Sequence, residues 1–208
     1  FINIGEIMKI IKYEIKHCNA GWRDFSFLKI ITDEGISGIS EYNECYGSPG
    51  LSIIIRRFMD KILDHDPICH EKIHQFLYAS SRQAPGGIAQ QAIAAIENAL
   101  LDIKGKYLNV PVHTLLGGAI RDKLPLYWSH CGTYRISEEL SKIMEKPQVK
   151  TLEDLKQLGK DVKDAGYKGL KTNIFTFAET PILEMQGFAG KPGWPELNVD
   201  KHIINGLI

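Results

Sequence analysis

The chain has 208 residues, 44% apolar and 24% charged, enough for one large or two small folded domains and unlike a disordered or low-complexity protein. Lys plus Arg and Asp plus Glu number 25 each, so no net field recruits nucleic acid, an anionic membrane or a polyanionic substrate. The four cysteines (Cys18, Cys45, Cys69, Cys131) are scattered without a CxxC, no apolar run nears the ~20 residues of a membrane span, and the first residues lack the basic region and apolar core of a signal peptide; the expected location is the cytoplasm, with the thiols reduced and buried as small hydrophobes.

Residues 1–7 precede a natural-looking start at Met8 and are read as separate from the fold. Residues 8–16 alternate apolar and charged side chains, 25–32 are rich in apolar and aromatic ones, and Asp33, Glu34 and Gly35 turn the chain before 36–41. This pattern predicts a small antiparallel meander. From 51 to 63 the apolar spacing becomes helical, until Asp66 and Pro67 break it. Ile73, Phe76 and Leu77 then mark the buried face of a further helix, on which His70, Glu71 and His74 spell HExxH. In a zinc peptidase of that motif the two histidines bind the ion and the Glu activates water. With three fixed positions in five and no third ligand evident, the preferred reading is polar side chains on the helix's exposed face.

Ile88, Ala92, Ile96, Ala99, Leu100, Ile103 and Tyr107 recur at steps of three and four and predict a long amphipathic helix, stopped by Asn109 and Pro111. Its charged residues Glu97, Asp102, Lys104 and Lys106 read as a solvated face with spaced ion pairs. After Gly118 the texture changes: 124–129 is strand-like, 151–165 helical and 169–175 strand-like again. Thr151 with Asp154 supplies a capping box, Leu152, Leu155, Leu158 and Val162 the apolar face, and Gly166 the stop. Strand, helix, strand predicts a βαβ unit with a parallel sheet.

Residues 92–118, AIAAIENALLDIKGKYLNVPVHTLLGG, resemble the signature of the mandelate racemase and muconate lactonizing enzyme group of the enolase superfamily, every restricted position from Ala92 to Gly117 being acceptably filled. The resemblance implies an α+β capping domain, assigned to 8–118, followed by the start of an α/β (β/α)₈ barrel, whose first two β/α units would occupy 119–208. Such a barrel takes ~250 residues. The chain is therefore expected to be truncated, a fragment of a longer enzyme, with 199–208 beginning the helix after the second barrel strand.

In a barrel the active-site groups stand at the C-terminal ends of strands, which selects Ser129, His130, Lys171 and Asn173. Period two puts Lys171 and Asn173 on one face; taken alone, Lys171 reads equally as a snorkelling surface residue. GYKGLKTN is similar to the strand in which racemase-type members carry Lys-x-Lys. The resemblance implies that the second lysine of that pair removes the proton α to a carboxylate, while the first lowers its pKa and helps bind the carboxylate. Asn173 cannot accept that proton. One base, supplied from the opposite side of the barrel, suits loss of water from a polyhydroxy acid, so the expectation is an acid-sugar dehydratase rather than a racemase or cycloisomerase.

The resemblance further implies Mg²⁺ at the enediolate, held by three carboxylates expected past Ile208, so no metal ligand is assigned within the chain. YWSHC is similar to the first barrel strand of racemase members, where Ser129 and His130 would line the substrate site. Two cap loops, 19–24 and 42–48, would close over the barrel mouth; Trp22, Arg23 and Tyr46 have the groups to hold a hydroxylated carboxylate. Residues 187–195 read as a lid segment or an ordered surface loop. The expected partners are a small sugar acid and further copies of the chain in a homo-oligomer of the longer protein. The 208 residues alone are expected to be inactive and poorly folded after Gly118, and a non-catalytic cap module that binds a partner is the alternative of another class.

Overall fold

Alternating burial builds the first sheet. In β2 (Asp24–Thr32) Ser26, Leu28, Ile30 and Thr32 are buried and the residues between them are not, the period of two that puts one face of a strand on a core. β2 lies between β1 (Ile10–Asn19) and β3 (Ser37–Tyr42), antiparallel to both, which is the expected meander. At the second turn Gly35, at φ 77°, donates its N–H to the Thr32 carbonyl at 3.1 Å. The computed structural model describes residues 7–21, 23–45, 48–172, 174–177 and 181–184, the last two segments by backbone alone. It falls into two units, Phe1–Ile120 and Arg121–Ile208. The expectations for Trp22, Tyr46, Asn173, 187–195 and 199–208 lie outside the described residues.

Among the described residues of the first unit four helices follow the sheet: α1 (Leu51–Met59), α2 (His70–Ser80), α3 (Gly87–Tyr107) and α4 (Val112–Leu115). Ala92, Ile96, Ala99, Leu100 and Ile103 of α3 are buried as their spacing predicts and join Leu28, Ile30, Ile55 and Leu77 in one core. Three apolar expectations fail. Phe76 is 44% exposed and stacks on His65 at 5.8 Å, because α2 offers only Ile73 and Leu77, one turn apart, to the core. Tyr107, in the last turn of α3, is half exposed, and of the four cysteines only Cys131 is buried. Among the described residues no helix is long and apolar enough to cross a membrane.

The charged residues of α3 are not a simple solvated face. Asp102 Oδ2 accepts the Ile39 N–H at 2.8 Å and the Lys106 ammonium at 2.7 Å, and Lys106 also donates to the Ser37 carbonyl at 2.7 Å. Together they satisfy groups on the free edge of β3 that its pairing with β2 leaves over. Ser40 Oγ adds a bond to the Ala95 carbonyl at 2.6 Å. The acidic and basic positions of the DIKGK string thus dock α3 on the sheet. Asp102→Ala should cost about 1–2 kcal/mol in urea unfolding, since it orphans an N–H and removes one of the two partners of Lys106. A second substitution, Lys106→Ala, should then add less than it costs alone, because only the bond to the Ser37 carbonyl remains to be lost.

In the second unit α6 (Leu152–Asp164) starts on the expected capping box: Thr151 Oγ1 accepts the Asp154 N–H at 3.2 Å, and Asp154 Oδ2 accepts the Thr151 N–H at 2.8 Å. Gly166, at φ 81°, ends the turn that follows. Leu158 and Val162 are buried against Cys131, with Leu155 beside them, whereas Leu152 is 61% exposed, being the first residue of the helix and beyond that small core. A 3₁₀ turn (Thr133–Ile136) and a short α5 (Glu138–Ile143), capped by Ser137, precede it.

The expected parallel pairing is present but short, a single bridge between Trp128 and Leu170. β4 (Ile174–Phe177) pairs instead with β5 (Pro181–Glu184) as an antiparallel hairpin that the sequence reading does not contain. Three intervening residues make that closure entropically cheap beside a parallel crossover.

The Asp154 carboxyl is held below the ordinary range, first by the Lys150 N–H and then by the Thr151 hydroxyl and N–H. A lowered folded pKa stabilises above the unfolded value, about 3.9, and that contribution disappears as pH falls through the lower folded one. Carbon chemical shifts of residues 152–156 should therefore lose helical character between pH 5 and pH 2. Thr151→Ala should weaken the same turn by about 1 kcal/mol at neutral pH.

Candidate active site

The ends of the two paired segments bring three of the predicted residues together. Trp128 N–H donates to the Gly169 carbonyl at 3.0 Å, Lys171 N–H to the Trp128 carbonyl at 2.8 Å, and Cys131 N–H to the Lys171 carbonyl at 2.8 Å. These rungs fix Ser129 and His130 beside Lys171, where both segments end and point the same way. His130, at φ 52°, and Gly132, at φ 77°, then turn the chain into the 3₁₀ turn. A non-glycine residue with positive φ is uncommon, and such strain collects where a side chain must be aimed.

The side chains of Ser129 and Lys171 are exposed, and the His130 ring is half-buried 5.7 Å from the Tyr134 ring. Below them Cys131 is fully buried and burial pushes its thiol pKa up, so it is a neutral floor rather than a nucleophile. Thr172, which sequence reasoning did not single out, ties the same ends together by donating its hydroxyl to the Cys131 carbonyl at 2.8 Å.

The cap loops are organised by carboxylates. In the first, Asn19 accepts the Gly21 N–H at 2.9 Å and donates to Asp24 at 2.7 Å. Arg23 next to it pairs with Glu41 at 3.3 Å, and its guanidinium lies 4.0 Å over the Phe25 ring. In the second, the controlling residue is Glu44, which the sequence reading missed. Its carboxylate accepts from the N–H groups of Gly50 at 3.0 Å and Ser52 at 3.3 Å and from the Ser52 hydroxyl. Gly50 caps α1 at φ 87° without a side chain, so Glu44 supplies from six residues away the anion that a helix N-terminus favours. Ser48 Oγ reaches Gln91 in the first turns of α3 at 2.6 Å, and the Tyr42 hydroxyl reaches Ser52 at 2.7 Å. An acid six residues before a Gly-started helix was the available signal.

Of the HExxH residues only Glu71 sits on an exposed face. The side chains of His70 and His74 are 15% and 24% exposed and turn toward α3, His74 Nδ1 lying 3.1 Å from Glu97 and His70 Nδ1 3.4 Å from the Lys104 ammonium. His74 is committed to Glu97, which is not the two-histidine arrangement of a peptidase centre.

With a three-stranded meander, its helical layer and the start of a parallel α/β unit in place, the matched family is decisive. Residues 15–117 match the mandelate racemase / muconate lactonizing enzyme N-terminal domain. The chain belongs to this family.

Mandelate racemase-group relatives extend well beyond it. A D-galactonate dehydratase of Pectobacterium atrosepticum is 38% identical over 142 residues, 68% of this chain and 36% of that protein. One from Variovorax paradoxus is 38% identical over 120 residues, 58% of this chain and 31% of that protein. The chain thus spans about a third of the length of these curated relatives. A crystal structure from Burkholderia xenovorans, named for an L-alanine-DL-glutamate epimerase and bound to magnesium and fumarate, superposes with a TM-score of 0.86 at 39% identity, covering 96% of this chain and 49% of that one. A dehydratase structure from Salmonella enterica gives a TM-score of 0.69 at 30% identity over 81% of this chain and 43% of that one.

Proposed function

We propose that the longer protein to which this chain corresponds is a dehydratase of a sugar acid, a hexonate such as D-galactonate. Asn173 carries the reading: it stands two residues after Lys171 where a racemase needs its second base, and relatives about 38% identical are named galactonate dehydratases. A base from another part of the protein takes the proton α to the carboxylate; the electron pair forms the C–C double bond, and the β-hydroxyl leaves with a proton as water. The enol that remains becomes a 2-keto-3-deoxy acid. Lys171, at the last rung of the parallel pairing, neutralises charge that grows on the substrate carboxylate as the α-proton departs. Asn173 hydrogen-bonds the same end, and Ser129 and His130 line the pocket beside it. Arg23 selects substrate by turning from Glu41 to donate hydrogen bonds to substrate hydroxyls, while Trp22 and Tyr46 add apolar and hydroxyl contacts.

Mg²⁺, when bound, would stabilise the enediolate. Its three carboxylates are expected past Ile208, and no step is drawn through it. The cap 8–118, the barrel start 119–208, a cytoplasmic location and a homo-oligomeric assembly belong to the same proposal.

A second reading has its own support: a structural relative covering 96% of the chain is named an epimerase. The longer protein, purified with Mg²⁺ and offered a panel of hexonates and dipeptides, separates the two. Keto-acid from a hexonate supports the dehydratase; α-proton exchange or epimer formation without keto-acid supports the epimerase. No turnover of any acid leaves a cap that binds a partner.

A further inference from the structure

We propose that α2 and α3 hold a zinc site built from His70, Glu71 and Glu97, independent of the dehydratase reading. One ligand atom from each of the three lies within 4.8 Å of the other two. His70 Nε2 is 3.7 Å from Glu71 Oε1. Zinc takes nitrogen and oxygen ligands at about 2.0–2.2 Å, so ligands sharing one tetrahedral ion stand roughly 3.4 Å apart, and small side-chain rotations close the gap. The side chains of His70 and Glu97 are 15% and 28% exposed and form the floor, and Glu71, 76% exposed, forms the rim where water completes the coordination.

Two neighbours decide how the site behaves. His74 Nδ1, 3.1 Å from Glu97 Oε2, holds that carboxylate in place from behind, as outer-sphere partners of metal ligands do. Lys104 Nζ lies 3.4 Å from His70 Nδ1 and opposes the ion, both by its charge and because a His70 bound through Nε2 carries its proton on Nδ1. An imidazole with two carboxylates favours zinc over magnesium, which prefers oxygen alone. Since His74 is occupied by Glu97 and both acids act as ligands, no free Glu is left to activate water. The site's work is to fasten α2, which gives the core only Ile73 and Leu77, to α3.

The test titrates zinc chloride into the 208-residue chain by calorimetry, with Cys18, Cys45 and Cys69 replaced by serine so that exposed thiols do not compete. One zinc per chain is expected, together with a rise in melting temperature that magnesium does not reproduce. His70→Gln, Glu71→Gln and Glu97→Gln should each weaken binding tenfold or more, and Lys104→Met should tighten it several-fold. Glu71 is exposed, so its variant folds normally even if that of Glu97 does not. Absence of zinc binding, or zinc binding unchanged in His70→Gln and Glu71→Gln, overturns the proposal.

Discussion

Gly38→Ala is expected to destabilise the first unit severely. A Cβ built on Gly38 lies 2.0 Å from the Ala99 carbonyl oxygen and 2.8 Å from Ile103 Cγ1. The Ile103 side chain can turn aside; the Ala99 carbonyl is backbone in the middle of α3 and cannot. Accommodating one methyl group therefore means lifting α3 from β3 by more than 1 Å. That movement breaks the Asp102 and Lys106 bonds to β3 and the Ser40 bond to Ala95, and it opens the core around Leu100 and Ile103. The combined cost is about 3 kcal/mol or more, at the severe end for a single substitution. Urea unfolding followed by far-ultraviolet circular dichroism measures it. Gly35→Ala is the control: nothing lies within 4 Å of its added Cβ, and only the positive φ of 77° opposes it, so about 1 kcal/mol is expected. Equal, small effects at both glycines would mean that the close approach of α3 to β3 is not rigid.

That contrast shows what was legible in the sequence. Periods of two and of three to four are local, so the meander, α3 and the buried stripe of α6 could be read from spacing. The residues at stripe edges could not: Phe76, Tyr107 and Leu152 match the period, but whether an edge position meets a neighbour depends on where that neighbour ends. The same holds for polar groups. Asp102 and Lys106 look solvated because their partners are backbone atoms of Ser37 and Ile39, and backbone has no sequence signature. His70 and His74 look solvated for a related reason, their partners Glu97 and Lys104 lying a helix away. The β4–β5 hairpin was missed because a four-residue strand carries too few positions for periodicity to show.

The candidate site was legible in part for a different reason. A parallel pairing fixes which residues end together, so Ser129, His130 and Lys171 follow once Trp128 and Leu170 are partners. Glu44 was not foreseen, because its role is to complete a helix start that begins six residues later.

In the longer protein, Lys171→Met is expected to lower kcat/KM for the accepted sugar acid by about 10²–10³, the range for removal of one group that stabilises a developing charge. The split between constants locates the contact. A lysine that only anchors the carboxylate raises KM and leaves kcat alone; one that meets charge grown in the transition state lowers kcat. Both are expected here, because a carboxylate that becomes an enediolate is anionic before proton removal and more so after it. Lys171→Arg should recover part of KM and little of kcat, since a guanidinium keeps the charge but not its position. Asn173→Lys makes the complementary test. On the proposed reading, a lysine at 173, two positions after Lys171 in the sequence, has its pKa lowered by the like charge and becomes a base on that face of the substrate. Exchange of the α-proton with D₂O without loss of water should then appear, measured by proton NMR. Normal turnover in Lys171→Met removes the site from these strand ends; absence of exchange in Asn173→Lys, with turnover intact, removes position 173 from the face that decides between dehydration and epimerisation.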